Sequence, residues 1–229
     1  MLKTQYNEFS SNIYEIGVDE SGRGPLFGRV YAAAAVLPKD DTSFDFSRLK
    51  DSKKFHSKKK ITEVANYIKE NAICYSISFE DENVIDSINI LQATQSAMHK
   101  AVKNVMKIMK DEDRPFLLLI DGNYFNSLNV FNNITKKIDT VPCICIKGGD
   151  DEYASIAAAS ILAKVARDEY IELLCSEYPI LSENYCIDKN KGYGSKKHLE
   201  GIRRFGITQW HRRTFGICKQ YTCVNLSPS

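Results

Sequence analysis

The sequence predicts an α/β fold with a mixed central sheet flanked by helices. Apolar, strand-like segments alternate with amphipathic helical ones along most of the 229 residues. The first two strands are joined only by the Gly/Pro-rich turn SGRGPLFGR, so the sheet cannot be purely parallel. The later segment FLLLID is apolar without interruption, as suits a strand covered on both faces.

Ile13 to Val18 reads as a buried strand that ends at Asp19 and Glu20. Val30 to Leu37 reads as a second strand despite its alanines, and Pro38 stops it. Lys58 to Asn71 reads as a helix, because Ile61, Val64, Ala65 and Ile68 recur at helical spacing. ICYSISF, residues 73–79, alternates as a strand does. A long helix follows from about Asn89 to Lys110, with Ile90, Ala93, Ala97, Ala101, Val105 and Ile108 on one face. The methionines beside that face read as core. Pro115 precedes FLLLID, which ends at Asp121, and VPCICI forms a further strand broken by GGDD. Tyr153 to Cys175 reads as a helix whose first half, SIAAASILAKVA, is small enough to pack tightly on a sheet. Beyond Pro179 come a polar loop, a KGYGS turn and short basic helical pieces to about Phe215. The expected division is a catalytic domain over residues 14–180, a helical C-terminal extension over 181–217, and tails at 1–13 and 218–229.

A composition of 43% hydrophobic and 26% charged residues is ordinary for a globular chain with a sizeable core. The net charge of +2 says little about partners, so the local distribution matters more. Lysines crowd residues 50–60, and Arg203, Arg204, Arg212 and Arg213 crowd the C-terminal region. Such runs are either nucleic-acid footprints or solvated faces. The seven cysteines are odd in number and lack paired CxxC spacing, which predicts reduced thiols, an intracellular setting and no zinc site. Cys143 and Cys145 share one strand face and are expected to pack as small apolar side chains. MLKTQYNEFSSN has no apolar core of a secretory signal, and no apolar run approaches the roughly 20 residues that span a bilayer. A soluble, cytoplasmic protein is expected.

Asp19 with Glu20, Asp121, and Asp150 with Asp151 each follow an apolar strand. In open α/β sheets, ligand sites collect at the carboxyl ends of strands. Carboxylates gathered there raise each other's pKa values or bind a cation that neutralises them. Oxygen donors without histidines favour Mg²⁺ or Mn²⁺ over zinc. The set suits two-metal catalysis on a phosphodiester, with ions about 3.5–4 Å apart. On spacing alone, Asp121-Gly122 and GGDD are equally readable as ordinary turns.

GVDESGRGPLFG, DSKK, INILQATQSAM, LLLIDGN, SIAAASILAKVARD, NKGYGSKKH and HRRTFG follow one another in the order expected of type 2 ribonucleases H. From about Ile16 to Phe215 the chain resembles the ribonuclease HII family. The resemblance implies a ribonuclease H-like fold and Mg²⁺- or Mn²⁺-dependent endonucleolytic cleavage of RNA in RNA/DNA hybrids. It extends to single ribonucleotides within duplex DNA, with 3′-hydroxyl and 5′-phosphate ends as products; nothing in the sequence requires more than a monomer, which is the expected state. It places the catalytic and metal-binding acids at Asp19, Glu20, Asp121 and Asp150. Gly22, Arg23 and Gly24 then contact the ribose 2′-hydroxyl, the group that distinguishes RNA from DNA, Lys53 a phosphate, and Tyr193 the adjoining deoxyribose.

Some residues depart from the family pattern. KGGDD carries one residue more between Lys147 and the acids than expected, which makes Asp151 the alternative to Asp150. Phe27 and Arg29 replace a small residue and a proline, and SENYCIDKN is slightly long. Asp168, at the end of AKVARD, is a lesser candidate for the fourth acid and reads as packing or as supporting the ligands from behind. His211, Arg212 and Arg213 either hold the duplex or pack the extension, and His56, His99 and His198 carry no site signal. The rival functions are a DNA-directed nuclease, a phosphotransferase, and a nucleic-acid-binding protein without catalysis.

Overall fold

In the computed structural model, which describes residues 2–6, 13–39, 43–110, 114–132 and 136–227, β1 (Tyr14–Ser21) is the centre of a five-stranded mixed sheet. Its neighbours are β2 (Val30–Val36), antiparallel, and β4 (Phe116–Asp121), parallel. β3 (Cys74–Glu80) extends the sheet beyond β2, and β7 (Cys143–Ile146) runs parallel to β4 at the other edge. The strand order is β3-β2-β1-β4-β7.

Pleat alternation divides the core into two layers. Ile16, Val18, Ala32, Ala34, Leu118 and Ile120 face α2 (Glu82–Ile108). Ala33 and Ala35 face α1 (Lys58–Asn71) and α3 (Ala154–Glu177). The alanines of β2 are therefore buried on both faces, and small side chains let helices approach from each side. The closest approach is at Gly17, where a Cβ would lie 2.1 Å from the carbonyl carbon of Ser155 in the first turn of α3.

The remaining elements depart from the sequence reading in physical detail. β1 continues through Asp19 and Glu20, which pair with Ala33 and Ala32, and ends at Ser21. The long helix begins at Glu82, capped by Asp81, and breaks at Asn89, whose φ of 68° and ψ of 164° interrupt it. The Asn89 side chain then accepts from Gln92 N–H and restarts the helix. A hairpin of β5 (Asn129–Asn132) and β6 (Lys137–Thr140) precedes β7. Its Phe131 and Ile138 are exposed, while Leu128 and Val130 pack toward the α2 layer. Cys143 packs against the α2 layer, whereas Cys145, farther along the edge strand, is exposed rather than packed. All seven cysteines are free thiols.

The C-terminal region contains α4 (Ile180–Tyr185), α5 (Ile187–Asn190) and α6 (Lys196–Phe205), with no further α-helix among the described residues. A two-residue parallel pair, β8 (Ile207–Thr208) with β9 (Cys223–Val224), frames a 3-10 turn at Gly216–Gln220. Leu181, Tyr185, Ile187, Ile202 and Cys218 join the same buried cluster as Ala158 and Ile161 of α3. At the other terminus, Lys3 exchanges backbone hydrogen bonds with Glu152 and Ala154. No helix among the described residues is long and apolar enough to cross a membrane.

Candidate active site

Asp19 and Glu20 are neighbours on an extended strand, so their side chains leave opposite faces of the sheet. Asp121 ends the adjacent parallel strand, one residue beyond the Val18–Ile120 pair. Its Oδ1 accepts from Gly149 N–H at 2.8 Å, which ties the end of β4 to the turn holding Asp150. Asp19, Glu20 and Asp121 line a cavity of about 270 Å³ together with Ser21, Gly22, Arg23, Gly24, Ser52, Lys53, Ser160, Lys164 and Tyr193. The expected substrate residues 22–24, 53 and 193 thus share one cavity with three of the four expected acids.

Asp150 is buried beside Asp121, and Lys53 Nζ reaches its Oδ2 at 3.4 Å. Asp151 is exposed and pairs with Lys54. Asp168 pairs with Lys164 on α3, while its Oδ1 is buried without a hydrogen-bond partner.

The electrostatics are those of crowded acids in a poorly solvated place. Burial, and then the charges of Glu20 and Asp121, push Asp19 well above the ordinary carboxylate range. Donation from Ser160 and from Glu20 N–H, at 2.7 Å, opposes that rise without cancelling it. Burial also raises Glu20, against the pull of Arg23, whose Nη1 lies 3.2 Å from Glu20 Oε1. Asp150 is raised by burial and by Asp121, against Lys53.

Among the described residues, no three His, Cys, Asp or Glu side chains already converge as ligands around one point. The carboxylates stand apart, as like charges do, with Arg23 and Lys53 against two of them. The donor set still fits a hard divalent cation: it is all oxygen, comes from β1, β4 and the Gly149–Asp151 turn, and is stabilised in its charged form by added positive charge.

The loop over the cavity is held by Arg212, which sequence reading left between duplex binding and packing, and by Arg167, which it passed over. Gly22 is buried with φ of +98°, a conformation that favours glycine, and a Cβ there would meet Arg167 Nε at 2.3 Å. Arg212 is fully buried and gives its guanidinium N–H groups to the carbonyls of Gly22, Arg23, Pro25, Gly28 and Arg29. Burial, then the Arg167 charge, lowers Arg212 to about 9, which leaves it charged at neutral pH. Arg167 donates to the carbonyls of Phe27, Arg29 and Lys191. Both arginines therefore hold the loop, and neither faces solvent. Arg213 lies outside this arrangement: its backbone N–H binds Asp86.

Tyr193 is exposed, with its ring edge against Gly24, where a Cβ would lie 3.4 Å from Cε1. Beneath it His198 and His211 are fully buried with Nε2 atoms 3.1 Å apart. His99 instead binds the Asn126 carbonyl oxygen, and His56 is exposed.

Burial, then His198, lowers His211 to about 3, and burial lowers His198 as well. Unfolded histidine takes a proton near pH ~6.5, so below that pH the unfolded state binds more protons and stability falls. The loss for His211 alone is about 2 kcal/mol by pH 5, from 1.36 kcal/mol per unit below its unfolded pKa. The raised acids work in the opposite sense, gaining stability as the pH drops, so a comparison between proteins isolates the histidine. We expect His211→Gln to show a smaller fall in urea midpoint than the parent between pH 7 and pH 5. Equal falls would contradict the buried, neutral assignment.

The ribonuclease HII family model matches residues 16–218. A ribonuclease HII of Oceanobacillus iheyensis is 41% identical over 213 residues, covering 93% of this chain and 72% of the relative. Among solved structures, the ribonuclease H2 from Pyrococcus horikoshii superposes with a TM-score of 0.66 at 22% identity, over 90% of this chain and 95% of that one. Bst-RNase HIII in complex with Mn²⁺ does so with a TM-score of 0.61 at 18% identity, over 91% and 69%. The two structures share the fold, while the family model and the bacterial relative cover nearly the whole sequence. The chain belongs to the ribonuclease HII family.

Proposed function

We propose that Asp19, Glu20, Asp121 and Asp150 hold the divalent cations of this enzyme, and that Gly22, Arg23, Gly24, Lys53 and Tyr193 read its substrate. As a ribonuclease HII, the chain is a metal-dependent endoribonuclease acting on the RNA strand of RNA/DNA hybrids. The carrying observation is the single cavity that holds three of the acids, the GRG loop, Lys53 and Tyr193. When bound, divalent cations supply charge neutralisation and Lewis acidity at a phosphodiester, consistent with two-metal hydrolysis to 3′-hydroxyl and 5′-phosphate ends. Mg²⁺ and Mn²⁺ are the ions we propose; the Bst-RNase HIII structure contains Mn²⁺.

The protein's own groups do the positioning. Ser160 and Glu20 N–H orient Asp19. Asp150, rather than Asp151, completes the set in our reading, because it is buried next to Asp121 while Asp151 lies exposed on Lys54. Lys53 can move its point charge from Asp150 to a substrate phosphate. The glycines allow backbone groups to approach a ribose closely, and the 2′-hydroxyl is then the feature by which RNA is told from DNA. We extend the substrate range to single ribonucleotides in duplex DNA, with residues 14–180 as the catalytic unit and 181–217 as its extension, acting as a cytoplasmic monomer.

The test is cleavage of a duplex containing one ribonucleotide by Tyr193→Ala. Tyr193 would orient the sugar beside the reacting phosphate, and misplacement there costs up to ~100-fold, so the turnover rate should fall about tenfold. Duplex affinity should change much less. Unaltered rates on this duplex and on a continuous hybrid would remove Tyr193 from the reading.

A further inference from the structure

The GRG loop and the Tyr193 turn are gripped from behind by one short segment of the extension. Gly28 N–H donates to Trp210 O and Arg212 N–H to Leu26 O, both at 2.9 Å, so Trp210–Arg212 lies along Leu26–Gly28 like an added strand. Leu26 N–H in turn donates to Gly192 O at 2.8 Å, beside Tyr193. From that segment, Arg212 enters the loop and binds five carbonyls. Its neighbour His211 points to His198.

The backbone fixes the direction of the histidine relay. Thr208 N–H donates to His211 Nδ1 at 2.9 Å, so Nδ1 carries no proton and His211 is protonated on Nε2. That N–H faces His198 Nε2 at 3.1 Å, which must therefore accept. His198 is then protonated on Nδ1 and donates to the Tyr193 carbonyl oxygen at 2.8 Å. A neutral pair with one fixed tautomer each connects Thr208 to the backbone of Tyr193.

We propose that His198, His211 and Arg212 are positioning residues for ribonucleotide recognition, holding the GRG loop and Tyr193 in a fixed mutual placement. None of them lines the cavity and each is fully buried, so they act only through the residues they hold. The inference rests on the proposed reading of Tyr193 and the GRG loop as substrate contacts. It goes beyond that reading by assigning part of the recognition to side chains that never meet substrate.

Two substitutions at His198 separate positioning from simple packing. In His198→Asn, the amide nitrogen occupies the place of Nδ1 and still donates to the Tyr193 carbonyl. In His198→Gln, the amide reaches the place of Nε2, serves His211 and leaves that carbonyl without the donor. The rate on a duplex with one ribonucleotide, the affinity for that duplex and the melting temperature are measured for both, with Tyr193→Ala alongside. A displaced contact of this kind costs up to ~100-fold in rate. We expect His198→Gln to lower the rate about tenfold with affinity within about twofold, as Tyr193→Ala does. His198→Asn should stay within about threefold of the parent, with both variants losing similar stability.

Equal rates for the two His198 variants, or rates that simply follow melting temperature, would overturn the inference. If Tyr193→Ala slows the reaction and His198→Gln does not, the inference alone falls; if Tyr193→Ala has no effect, the underlying reading falls. Should the His198 variants fail to fold, His211→Gln, which keeps a donor toward His198, and His211→Leu, which does not, pose the same question. The glutamine should retain the rate that the leucine loses, and equal losses would overturn the proposal.

Discussion

Asp19→Asn and Asp121→Asn should each lower cleavage of an RNA/DNA hybrid by ~1,000-fold or more while the protein remains folded. Asparagine keeps the shape of the side chain and removes the charge. Charge stabilisation by a bound cation is worth several kcal/mol in the transition state, and each ~1.4 kcal/mol is a factor of ten in rate. The same substitution at Asp19 should not destabilise the fold. Burial and the adjacent Glu20 and Asp121 charges disfavour the Asp19 carboxylate, so a neutral amide relieves a cost. At Asp121, the asparagine oxygen can still accept from Gly149 N–H. Steady-state rates and thermal melts together check this, and a folded variant retaining more than about a tenth of the parent rate would contradict it.

Gly17→Ala should be the most damaging single-methyl change in the sheet. Its Cβ would stand 2.1 Å from Ser155 C, 2.3 Å from Ser155 O and 2.4 Å from Ile156 N, all backbone atoms that cannot rotate away. Either β1 or α3 must move. Overpacking of a tight core costs ~1–3 kcal/mol, and backbone contact puts this site at the upper end, near 3 kcal/mol. For a chain of this size that is a fall of about 10 °C in melting temperature. Activity should fall as well, because α3 carries Ser160 against Asp19 and follows directly on the Asp150 turn. A loss below about 1 kcal/mol would mean that the strand–helix contact is looser than it stands here.

How much of this was readable in the chain depends on distance along it. The strand-end acids were legible because an apolar run closing on a carboxylate is a local pattern, and α1, β3 and most of α2 follow from local periodicity. The hairpin at Asn129–Thr140 was not, since Phe131 and Ile138 are apolar yet face solvent, so apolar residues do not mark its buried side. The break at Asn89 was half visible: the helix restarts where predicted, but the turn from Glu82 before it carries no long apolar stripe. The resemblance places the fourth acid at Asp150 with Asp151 as the alternative, and the difference in their burial, set by side-chain direction in a 3-10 turn, is visible only in the fold. Least legible were Arg212 and the histidine pair. Arg212 meets carbonyls of residues 22–29 from the far end of the chain, and nothing near HRRTFG announces that partner. A buried arginine held by carbonyls and a surface arginine awaiting phosphate look identical in one dimension.

The acids of β1, β4 and the Gly149–Asp151 turn acting as one cation site is the claim on which the rest depends. Manganese titration of the protein, followed by the paramagnetic resonance of the free ion, tests it without any nucleic acid. The account predicts Mn²⁺ uptake by the parent, loss of uptake in Asp19→Asn and Asp121→Asn, weakened uptake in Asp150→Asn and none of these changes in Asp151→Asn. Uptake by Asp19→Asn equal to that of the parent, or loss in Asp151→Asn with Asp150→Asn unaffected, would contradict it.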